Sequence, residues 1–357
     1  MWMIYGATGY TGQLITEVAV ARGHKPLLAG RSEGKVSALA QRFALDYVVF
    51  PMDKFNTARA VLAQYPALEL VLHCAGPYIY TSQPMLDACL ANGVHYLDLT
   101  GELSVYENTF AHHALAEEKG IVLMSGVGFD IVPSDCLGKY VVAQLPDAVE
   151  LEVVLEAFGG DVSASASAGT LKSLLEMLPH GGRVRRGGQL IPYDFGQGAD
   201  WFEFPHGKRM AVPITWGDLS TAYRTTGVPN ITTYMSMPPQ QIDAIKRLAY
   251  PLRHLLKNDR IRATVRDQIE ANVKGPSEQA RQTVRTHVYV RATAADGRIA
   301  EAWLESKEGY AFTADAAVLS VERVLDGNYS GAHTPAGAFG ADFVLDIPTT
   351  VRHDVLP

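Results

Sequence analysis

The sequence is short of cysteine, of long apolar runs and of clustered positive charge, and each shortage excludes a class of protein. Only three cysteines occur in 357 residues, at Cys74, Cys89 and Cys136, without Cys-x-x-Cys or zinc-type spacing. We therefore predict reduced thiols and neither a disulfide framework nor a zinc site. No run of about eighteen apolar residues occurs, so no membrane span is expected. The chain enters a predicted strand at once, without a signal-peptide pattern, and we expect a cytoplasmic protein.

The charge balance excludes a nucleic-acid-binding surface of the usual kind. The formal net charge is −7, and one basic cluster stands out, at Arg183-Val184-Arg185-Arg186. We interpret this cluster as a solvated loop, although an acidic substrate group could use it. The apolar and charged fractions of 47% and 19% are typical of a globular protein, and 357 residues leave room for two domains.

The most informative pattern is a glycine-rich turn between an apolar run and a helical pattern at the N-terminus. The turn reads Gly6-Ala7-Thr8-Gly9-Tyr10-Thr11-Gly12. In a dinucleotide-binding turn, the first glycine permits the tight bend, the second lets the backbone approach a pyrophosphate, and the third lets the helix pack closely. The amides at the start of the helix form the anion site. We predict that all seven residues bind a dinucleotide; the alternative is a purely structural turn.

The end of the second predicted strand, Lys25 to Ala29, should decide between NAD and NADP. An acidic residue there would hold the ribose 2′-hydroxyl of NAD, but the sequence has Arg31, and a guanidinium suits the 2′-phosphate of NADP. Ser32 can donate a further hydrogen bond to that phosphate. The sequence thus favours NADP; the alternative is that Arg31 merely opens the next helix at the surface. Asp53, after the third strand (Tyr47 to Phe50), is predicted to face the adenine.

Three later strands each end in a glycine-rich or polar stretch. The fourth strand, Leu70 to Cys74, is apolar almost throughout, which suits a strand buried on both faces of a parallel sheet. Ligands of such sheets bind outside the carboxyl ends of the strands. We therefore predict an active site in a cleft between two domains, bounded by Gly76-Pro77-Tyr78, Thr100-Gly101-Glu102 and Gly128-Phe129-Asp130. The residues predicted to contact the cofactor there are Ala75, Gly76, Pro77, Tyr78, Thr100, Gly128 and Phe129.

Two side chains are candidates for the proton transfer that accompanies hydride transfer. Tyr78 lies where the nicotinamide is expected, although it could simply pack against the cofactor. Asp130 lies at the mouth of the sixth strand, although it could instead cap the helix that begins near Ile131. The histidines show no ligand spacing with acidic partners, so no metal site is predicted. Those regarded as structural or exposed are His73, His95, His112, His113, His180 and His206.

The alternation of strands and helices ends near Asp135. The later predicted strands lack helical crossovers, which favours an antiparallel or mixed sheet, and Asp296-Gly297 predicts a hairpin turn. We predict an α/β protein: an N-terminal Rossmann domain with a doubly wound parallel sheet (residues 1–135), an inserted α+β domain with a mixed or antiparallel sheet (136–308), and C-terminal helices that return to the first domain (309–357). Residues 181–223, rich in glycine, proline and aromatics, are predicted to form long loops.

Several motifs together resemble the saccharopine dehydrogenase-like reductase family, which includes bacterial trans-acting enoyl reductases. The motifs are Gly6 to Gly12, Ala29-Gly30-Arg31, Cys74 to Tyr78, Tyr96 to Glu102, Gly128 to Asp135 and Trp216 to Tyr223. The resemblance implies an NADP-binding Rossmann domain and an inserted domain that contacts substrate and forms a homodimer. We expect an NADP(H)-dependent oxidoreductase that transfers hydride to a C=C, C=O or C=N bond of a small or acyl substrate. The alternative is an NADP-binding sensor or scaffold without turnover.

Overall fold

The computed structural model describes residues 1–52, 55–160 and 166–356. The first elements are β1 (Trp2–Tyr5), α1 (Tyr10–Ala21), β2 (Leu27–Gly30), α2 (Glu33–Phe43), β3 (Tyr47–Val49), α3 (Phe55–Leu62), β4 (Leu70–His73), α4 (Tyr78–Asn92), β5 (His95–Asp98), α5 (Leu103–Ala111), α6 (His113–Lys119) and β6 (Val122–Met124). The middle of the chain forms α7 (Val132–Gln144), β7 (Ala148–Phe158), α8 (Ala168–Met177), β8 (Gly182–Arg186), β9 (Gln189–Tyr193), β10 (Asp200–Phe204), β11 (Gly207–Ile214), α9 (Asp218–Thr226), β12 (Asn230–Ser236), α10 (Pro239–Leu255), α11 (Asp259–Asn272), α12 (Glu278–Thr283), β13 (Arg285–Ala294) and β14 (Ile299–Lys307). The last elements are α13 (Gly309–Asp326), β15 (Gly331–Ala332), α14 (Pro335–Phe339) and β16 (Val351–His353).

The chain divides into two compact units. The first contains residues 1–130 and 310–338, and the second contains residues 131–309 and 339–357. Among the described residues, no helix combines the length and the apolar character that crossing a lipid bilayer requires.

The first unit is built on a parallel sheet in the order β15-β6-β5-β4-β1-β2-β3. Every pairing in it is parallel, and the order reverses direction between β1 and β4, as in a dinucleotide-binding sheet. All residues of β1, β2 and β4 are buried, which explains their unbroken apolar character. The predicted Rossmann sheet is therefore confirmed.

The returning segment adds α13, β15 and most of α14 to this unit. Strand β15 pairs in parallel with β6 at the edge of the sheet. On α13, the Glu322 carboxylate pairs with Arg22 at 2.5 Å and with His24 at 2.7 Å, both just after α1. These contacts fasten α13 to the first unit.

The second unit is built on a mixed sheet with the main order β10-β11-β12-β7-β13-β14-β16, to which β8 and β9 attach through β12. Strands β12 and β7 are parallel, and the other pairings are antiparallel. The unit interrupts the first one in sequence, so the predicted inserted α+β domain with a mixed sheet is confirmed. The predicted hairpin at Asp296-Gly297 joins β13 to β14, and Gly297 has φ +86°, which the turn requires.

The predicted long loops over residues 181–223 are wrong. This stretch forms β8 to β11 and the start of α9. The glycines that suggested a loop form a tight hairpin turn, because Gly187 and Gly188 both adopt positive φ, +56° and +77°, between paired strands. A second two-residue turn, Pro205-His206, joins β10 to β11.

The last residues of the chain differ from the predicted return to the nucleotide domain. Strand β16 pairs antiparallel with β14, in the second sheet. The guanidinium of Arg352 lies 3.5 Å above the Tyr140 ring and 2.7 Å from Asp342, and these contacts hold β16 in the second unit. A strand of three residues is too short to produce a readable periodicity.

Candidate functional site

The sequence-predicted site residues lie at one edge of the parallel sheet. The glycine turn follows β1, Arg31 follows β2, and Ala75 follows β4, while Thr100 and Asp130 follow β5 and β6. Because all these strands are parallel, their carboxyl ends share an edge. The fold thus brings to one edge stretches as far apart in the chain as Gly6 and Asp130.

The glycine turn is so tight that side chains cannot replace two of its glycines. Gly6 has φ +86°, and a Cβ there would lie 2.8 Å from the carbonyl carbon of Cys74. A Cβ on Gly12 would lie 2.3 Å from the carbonyl oxygen of Gly6, which is far inside van der Waals contact. Gly9 is the N-cap of α1 and donates its amide to Gly6 O at 3.0 Å. Gly9 is also exposed, so a phosphate can reach the backbone at the start of α1, as the dinucleotide interpretation requires.

The remaining residues of the turn have distinct positions. The Ala7 side chain is buried, and its amide donates to Ala29 O at 3.2 Å, so Ala7 joins the turn to β2. Thr8 and Thr11 are half-buried at the turn. The Tyr10 ring packs edge-on against Tyr310 at the start of α13, with 5.0 Å between ring centroids. The first-turn amides of α1 lie at this turn, and amides at a helix N-terminus can bind an anion.

At the end of β2, Arg31 is exposed and makes no hydrogen bond or ion pair with any other described residue. Ser32 is the half-buried N-cap of α2, and its side chain does not cap the helix. Both side chains are therefore available to an anionic group at the position of the 2′-phosphate. Asp53, the predicted adenine neighbour, lies outside the described residues.

The loop after β4 contains Ala75, Gly76 and Pro77, and Pro77 is the N-cap of α4. Tyr78 begins that helix, and its side chain is 8% exposed. Its hydroxyl donates to the carbonyl oxygen of His73 at 3.4 Å, and burial raises the pKa of Tyr78 well above its usual range. The phenol therefore points into the interior of the unit. This geometry matches the packing interpretation of Tyr78 and gives no support to proton donation.

Asp98, the last residue of β5, was not singled out from the sequence, yet it organises the next loop. Its Oδ1 accepts the amides of Thr100 at 2.9 Å and Gly126 at 3.1 Å, and its Oδ2 accepts the hydroxyls of Tyr96 and Ser125, both at 2.8 Å. Burial raises the pKa of Asp98 to about 6, although the four hydrogen bonds act in the opposite direction. The carboxylate ties the loop after β6 to the end of β5.

Glu102 holds the start of α4. Its buried carboxylate accepts the amide of Tyr78 at 2.9 Å and that of Ile79 at 2.7 Å. A carboxylate at a helix N-terminus satisfies orphan amides and complements the helix dipole. Thr100 is buried below it: its hydroxyl accepts the Glu102 amide at 3.0 Å, and its carbonyl accepts the Tyr106 hydroxyl. Thr100 therefore supports the loop from inside, which differs from its predicted cofactor contact.

The loop after β6 is fixed against α13. A Cβ on Gly128 would lie 2.8 Å from the Thr313 side chain, and the Phe129 amide donates to the Thr313 hydroxyl at 3.0 Å. The Phe129 ring packs edge-on against Phe312, with 5.7 Å between centroids. The small size of Gly128 is therefore needed for the approach of a helix that is about 180 residues away in sequence.

Asp130 is the half-buried carboxyl at this edge. A Cβ on Gly101 would lie 2.8 Å from its Oδ2, so Asp130 lies directly over the loop after β5. Burial raises the pKa of Asp130 to about 6. Helix α7 has Ile131 as its N-cap, not Asp130. Asp130 thus lies one residue before the N-cap, and its carboxyl can exchange a proton near neutral pH.

The family match with known proteins lies within the first unit. Residues 2–124 match the family described as the saccharopine dehydrogenase NADP binding domain. A saccharopine dehydrogenase-like oxidoreductase of Bos taurus is 32% identical over 152 residues, which cover 37% of this chain and 35% of that protein. A trans-acting enoyl reductase of Mycobacterium leprae is 31% identical over 183 residues, or 46% of this chain and 44% of that protein. The aligned parts thus span less than half of either relative.

A solved structure extends the similarity in fold. Apo saccharopine dehydrogenase (L-Glu forming) of Saccharomyces cerevisiae has a TM-score of 0.67, covering 97% of this chain and 96% of that chain at 11% identity. The matched family is described as NADP-binding, and this agrees with the tight glycine turn and with an Arg31 side chain that is exposed. The predicted cofactor, NADP, is therefore confirmed. Residues 2–124 of this chain are thus similar to the NADP-binding domain of saccharopine dehydrogenase.

Proposed function

We propose that this protein is an NADPH-dependent reductase that acts on a C=C, C=O or C=N bond of a small or acyl-type substrate. The observation that carries the proposal is the sheet edge described above. The glycine turn, the exposed Arg31 and the carboxyl of Asp130 follow β1, β2 and β6, which are parallel strands of one sheet. The names of the similar proteins, a saccharopine dehydrogenase-like oxidoreductase and a trans-acting enoyl reductase, support oxidoreductase chemistry. The second name supports an enoyl C=C bond as the first acceptor to test.

The cofactor would be held by the turn from Gly6 to Gly12 and by Arg31. The amides at the start of α1 bind the pyrophosphate, and the Arg31 guanidinium binds the 2′-phosphate in a charge-assisted contact. Ser32 lies beside Arg31 and adds a hydroxyl donor. When bound, NADPH would supply a hydride to the electrophilic carbon of the acceptor bond.

Asp130 is proposed as the proton donor to the other end of that bond. Its pKa of about 6 keeps roughly one carboxyl in ten protonated at pH 7, and re-protonation from water restores the acid after each turnover. Glu102 and Asp98 act on the site indirectly, since they hold the loops that carry Tyr78 and Gly126. Tyr78 then packs within the site and transfers no proton.

NADPH oxidation with a panel of enoyl thioesters, ketones and imines tests the function. We expect one class to be reduced, and we expect Asp130→Asn to lower turnover while NADPH affinity stays unchanged. Asp46→Asn is the matched control, because Asp46 is an exposed carboxyl before β3, at the opposite edge of the sheet. NADPH binding without turnover of any class would favour the sensor or scaffold alternative. Equal turnover in wild type and Asp130→Asn would remove Asp130 from the mechanism.

We also infer a homodimer through the second unit, in a cytoplasmic protein with reduced thiols. Helix α10 exposes apolar side chains at helical spacing, including Leu248 (59% exposed), Leu252 (42%) and Leu255 (52%). Such a contiguous apolar stripe is typical of an interaction surface. Strand β14 is paired by β16 only from Trp303 to Glu305, which leaves part of its edge open. Light scattering should give twice the chain mass, and Leu252→Glu should lower it; a monomer in wild type would reject the dimer.

A further inference from the structure

A row of polar side chains crosses three neighbouring strands of the second unit. His287 on β13 pairs directly with Glu156 on β7 and with Glu305 on β14. Directly paired residues in antiparallel strands project to the same face of the sheet. The three side chains therefore form one row, far from the glycine turn in sequence and in a different unit.

A second histidine reaches this row from the hairpin between β10 and β11. His206 lies in the Pro205-His206 turn, and its Nε2 is 3.1 Å from both carboxylate oxygens of Glu156. Phe158 stacks on both imidazole rings, with centroid distances of 4.7 Å to His206 and 4.1 Å to His287. This stacking holds both imidazole rings in fixed orientations.

The row contains buried atoms that face each other without a hydrogen bond. His287 Nδ1 lies 3.5 Å from Glu156 Oε2, and neither atom has a hydrogen-bond partner among the described residues. The two side chains are only 2% and 4% exposed. A buried imidazole nitrogen opposite a buried carboxylate oxygen is costly unless a cation lies between them. That cation is either a proton or a metal ion.

The distances favour a metal ion. Zinc binds histidine nitrogen and carboxylate oxygen at about 2.0–2.2 Å in tetrahedral geometry, so neighbouring ligand atoms lie about 3.4 Å apart. The two nitrogen-to-oxygen distances here are 3.1 Å for His206 and 3.5 Å for His287. All three ligand atoms lie within 4.8 Å of one another. A proton shared between His287 and Glu156 would instead draw Nδ1 and Oε2 from 3.5 Å to about 2.8 Å.

The surroundings also have the pattern of a metal site. Glu305 Oε2 lies 3.5 Å from Nε2 of His287, where a carboxylate favours a proton on Nε2 and so leaves the Nδ1 lone pair for a metal. The Arg209 Nε donates to Oε1 of Glu156 at 3.0 Å and leaves Oε2 for the cation. Outer partners of this kind orient the ligands of metal sites.

We propose that Glu156, His206 and His287 bind a late first-row divalent cation, of which Zn²⁺ is the best fit. The ligand atoms are Glu156 Oε2, His206 Nε2 and His287 Nδ1, and water completes the coordination from the side of the half-buried His206. His206 would bind the ion through the lone pair of Nε2, so its neutral ring would carry its single proton on Nδ1. The ion would fasten the β10–β11 hairpin to β7 and β13.

Metal binding to the full chain, after removal of bound metal with a chelator, tests the proposal. We expect one Zn²⁺ per chain by elemental analysis, a visible absorption band on Co²⁺ substitution, and a higher melting temperature with either ion. His206→Asn, at an exposed turn, and Glu156→Gln, of equal size, should each weaken Zn²⁺ binding about 100-fold or more, since loss of an outer partner alone costs about 10–100-fold. Circular dichroism checks that both variants fold.

His254→Ala is the matched control, because His254 is an exposed histidine on α10 in the same unit. It should bind Zn²⁺ as wild type does. A wild-type chain that binds less than about one tenth of an equivalent of Zn²⁺ or Co²⁺, or folded His206→Asn and Glu156→Gln variants that bind like wild type, would overturn the proposal. The cluster would then be a hydrogen-bonded array of a carboxylate with two histidines and Arg209.

Discussion

Glu102 should be a residue on which both the stability of the first unit and the cofactor loop depend. Its carboxylate accepts two amides at the start of α4, from Tyr78 at 2.9 Å and Ile79 at 2.7 Å, and its side chain is 1% exposed. Glu102→Gln keeps the size of the side chain but replaces one oxygen by an amide group. One of the two backbone amides then faces another donor.

The expected loss can be estimated from these two contacts. A hydrogen bond to a charged group contributes about 1.5–3 kcal/mol, and one such bond is lost. The negative charge at the helix N-terminus is lost as well, which costs about 0.3–1 kcal/mol and up to about 2 kcal/mol when partly buried. We therefore expect Glu102→Gln to lower the free energy of unfolding by about 2–4 kcal/mol. Because Ala75, Gly76 and Pro77 lead directly into α4, NADPH affinity should fall too.

Urea denaturation followed by far-ultraviolet circular dichroism measures the first effect, and fluorescence titration with NADPH measures the second. Glu118→Gln is the matched control, since Glu118 is an exposed glutamate on α6. It should change the free energy of unfolding by less than about 0.5 kcal/mol. If Glu102→Gln is as stable as this control, the carboxylate does not hold the start of α4 and our reasoning fails.

Three further predictions concern the same unit. Asp98 has its pKa raised from 3.8 to about 6, so its contribution to stability is present below the unfolded pKa and is lost as pH rises through 6. This loss amounts to about 2.4 kcal/mol between pH 4 and pH 7, and pH-dependent unfolding of Asp98→Asn should lack it. Gly12→Ala places a Cβ 2.3 Å from the carbonyl oxygen of Gly6. It should lower the free energy of unfolding by about 1–3 kcal/mol and weaken NADPH binding, as measured by urea denaturation and NADPH titration. Gly34→Ala, with open space around it, should cause neither loss in the same two assays. Tyr78→Phe removes only a 3.4 Å hydrogen bond to His73 O, so the free energy of unfolding should fall by at most about 1.5 kcal/mol in urea denaturation. A turnover that falls tenfold or more would restore Tyr78 as a proton donor.

The first unit could be predicted from sequence because its signals are local. Gly6 and Gly12 are required by a tight turn within seven residues, and each apolar strand such as β4 is buried on both faces. The position of Arg31 follows from the end of one strand. None of these inferences needs knowledge of which distant residues meet.

The features that sequence reasoning missed depend on long-range pairing. Glu102 accepts the amides of Tyr78 and Ile79, which are 24 and 23 residues away in the chain. The residues next to Glu102 in sequence do not indicate that its carboxylate caps α4. Glu156 and His287 become neighbours only through the register of β7 and β13. His206 joins them only because Pro205-His206 is a hairpin turn, in a stretch where glycine content suggested loops. A tight-turn interpretation of Gly187-Gly188 was available from the sequence and would have predicted the strands on either side.

Cofactor titration of wild type and Arg31→Ala tests the central claim most directly. Arg31 is exposed at the end of β2 and makes no hydrogen bond or ion pair with the rest of the described chain, so a 2′-phosphate is the partner we assign to it. Wild type should bind NADPH more tightly than NADH. Arg31→Ala should lose about 1.5–3 kcal/mol of NADPH affinity, or about 10- to 150-fold, with NADH affinity nearly unchanged, and Lys35→Ala, at an exposed lysine on α2, should behave as wild type. Equal affinities of the wild type for NADPH and NADH would contradict the account.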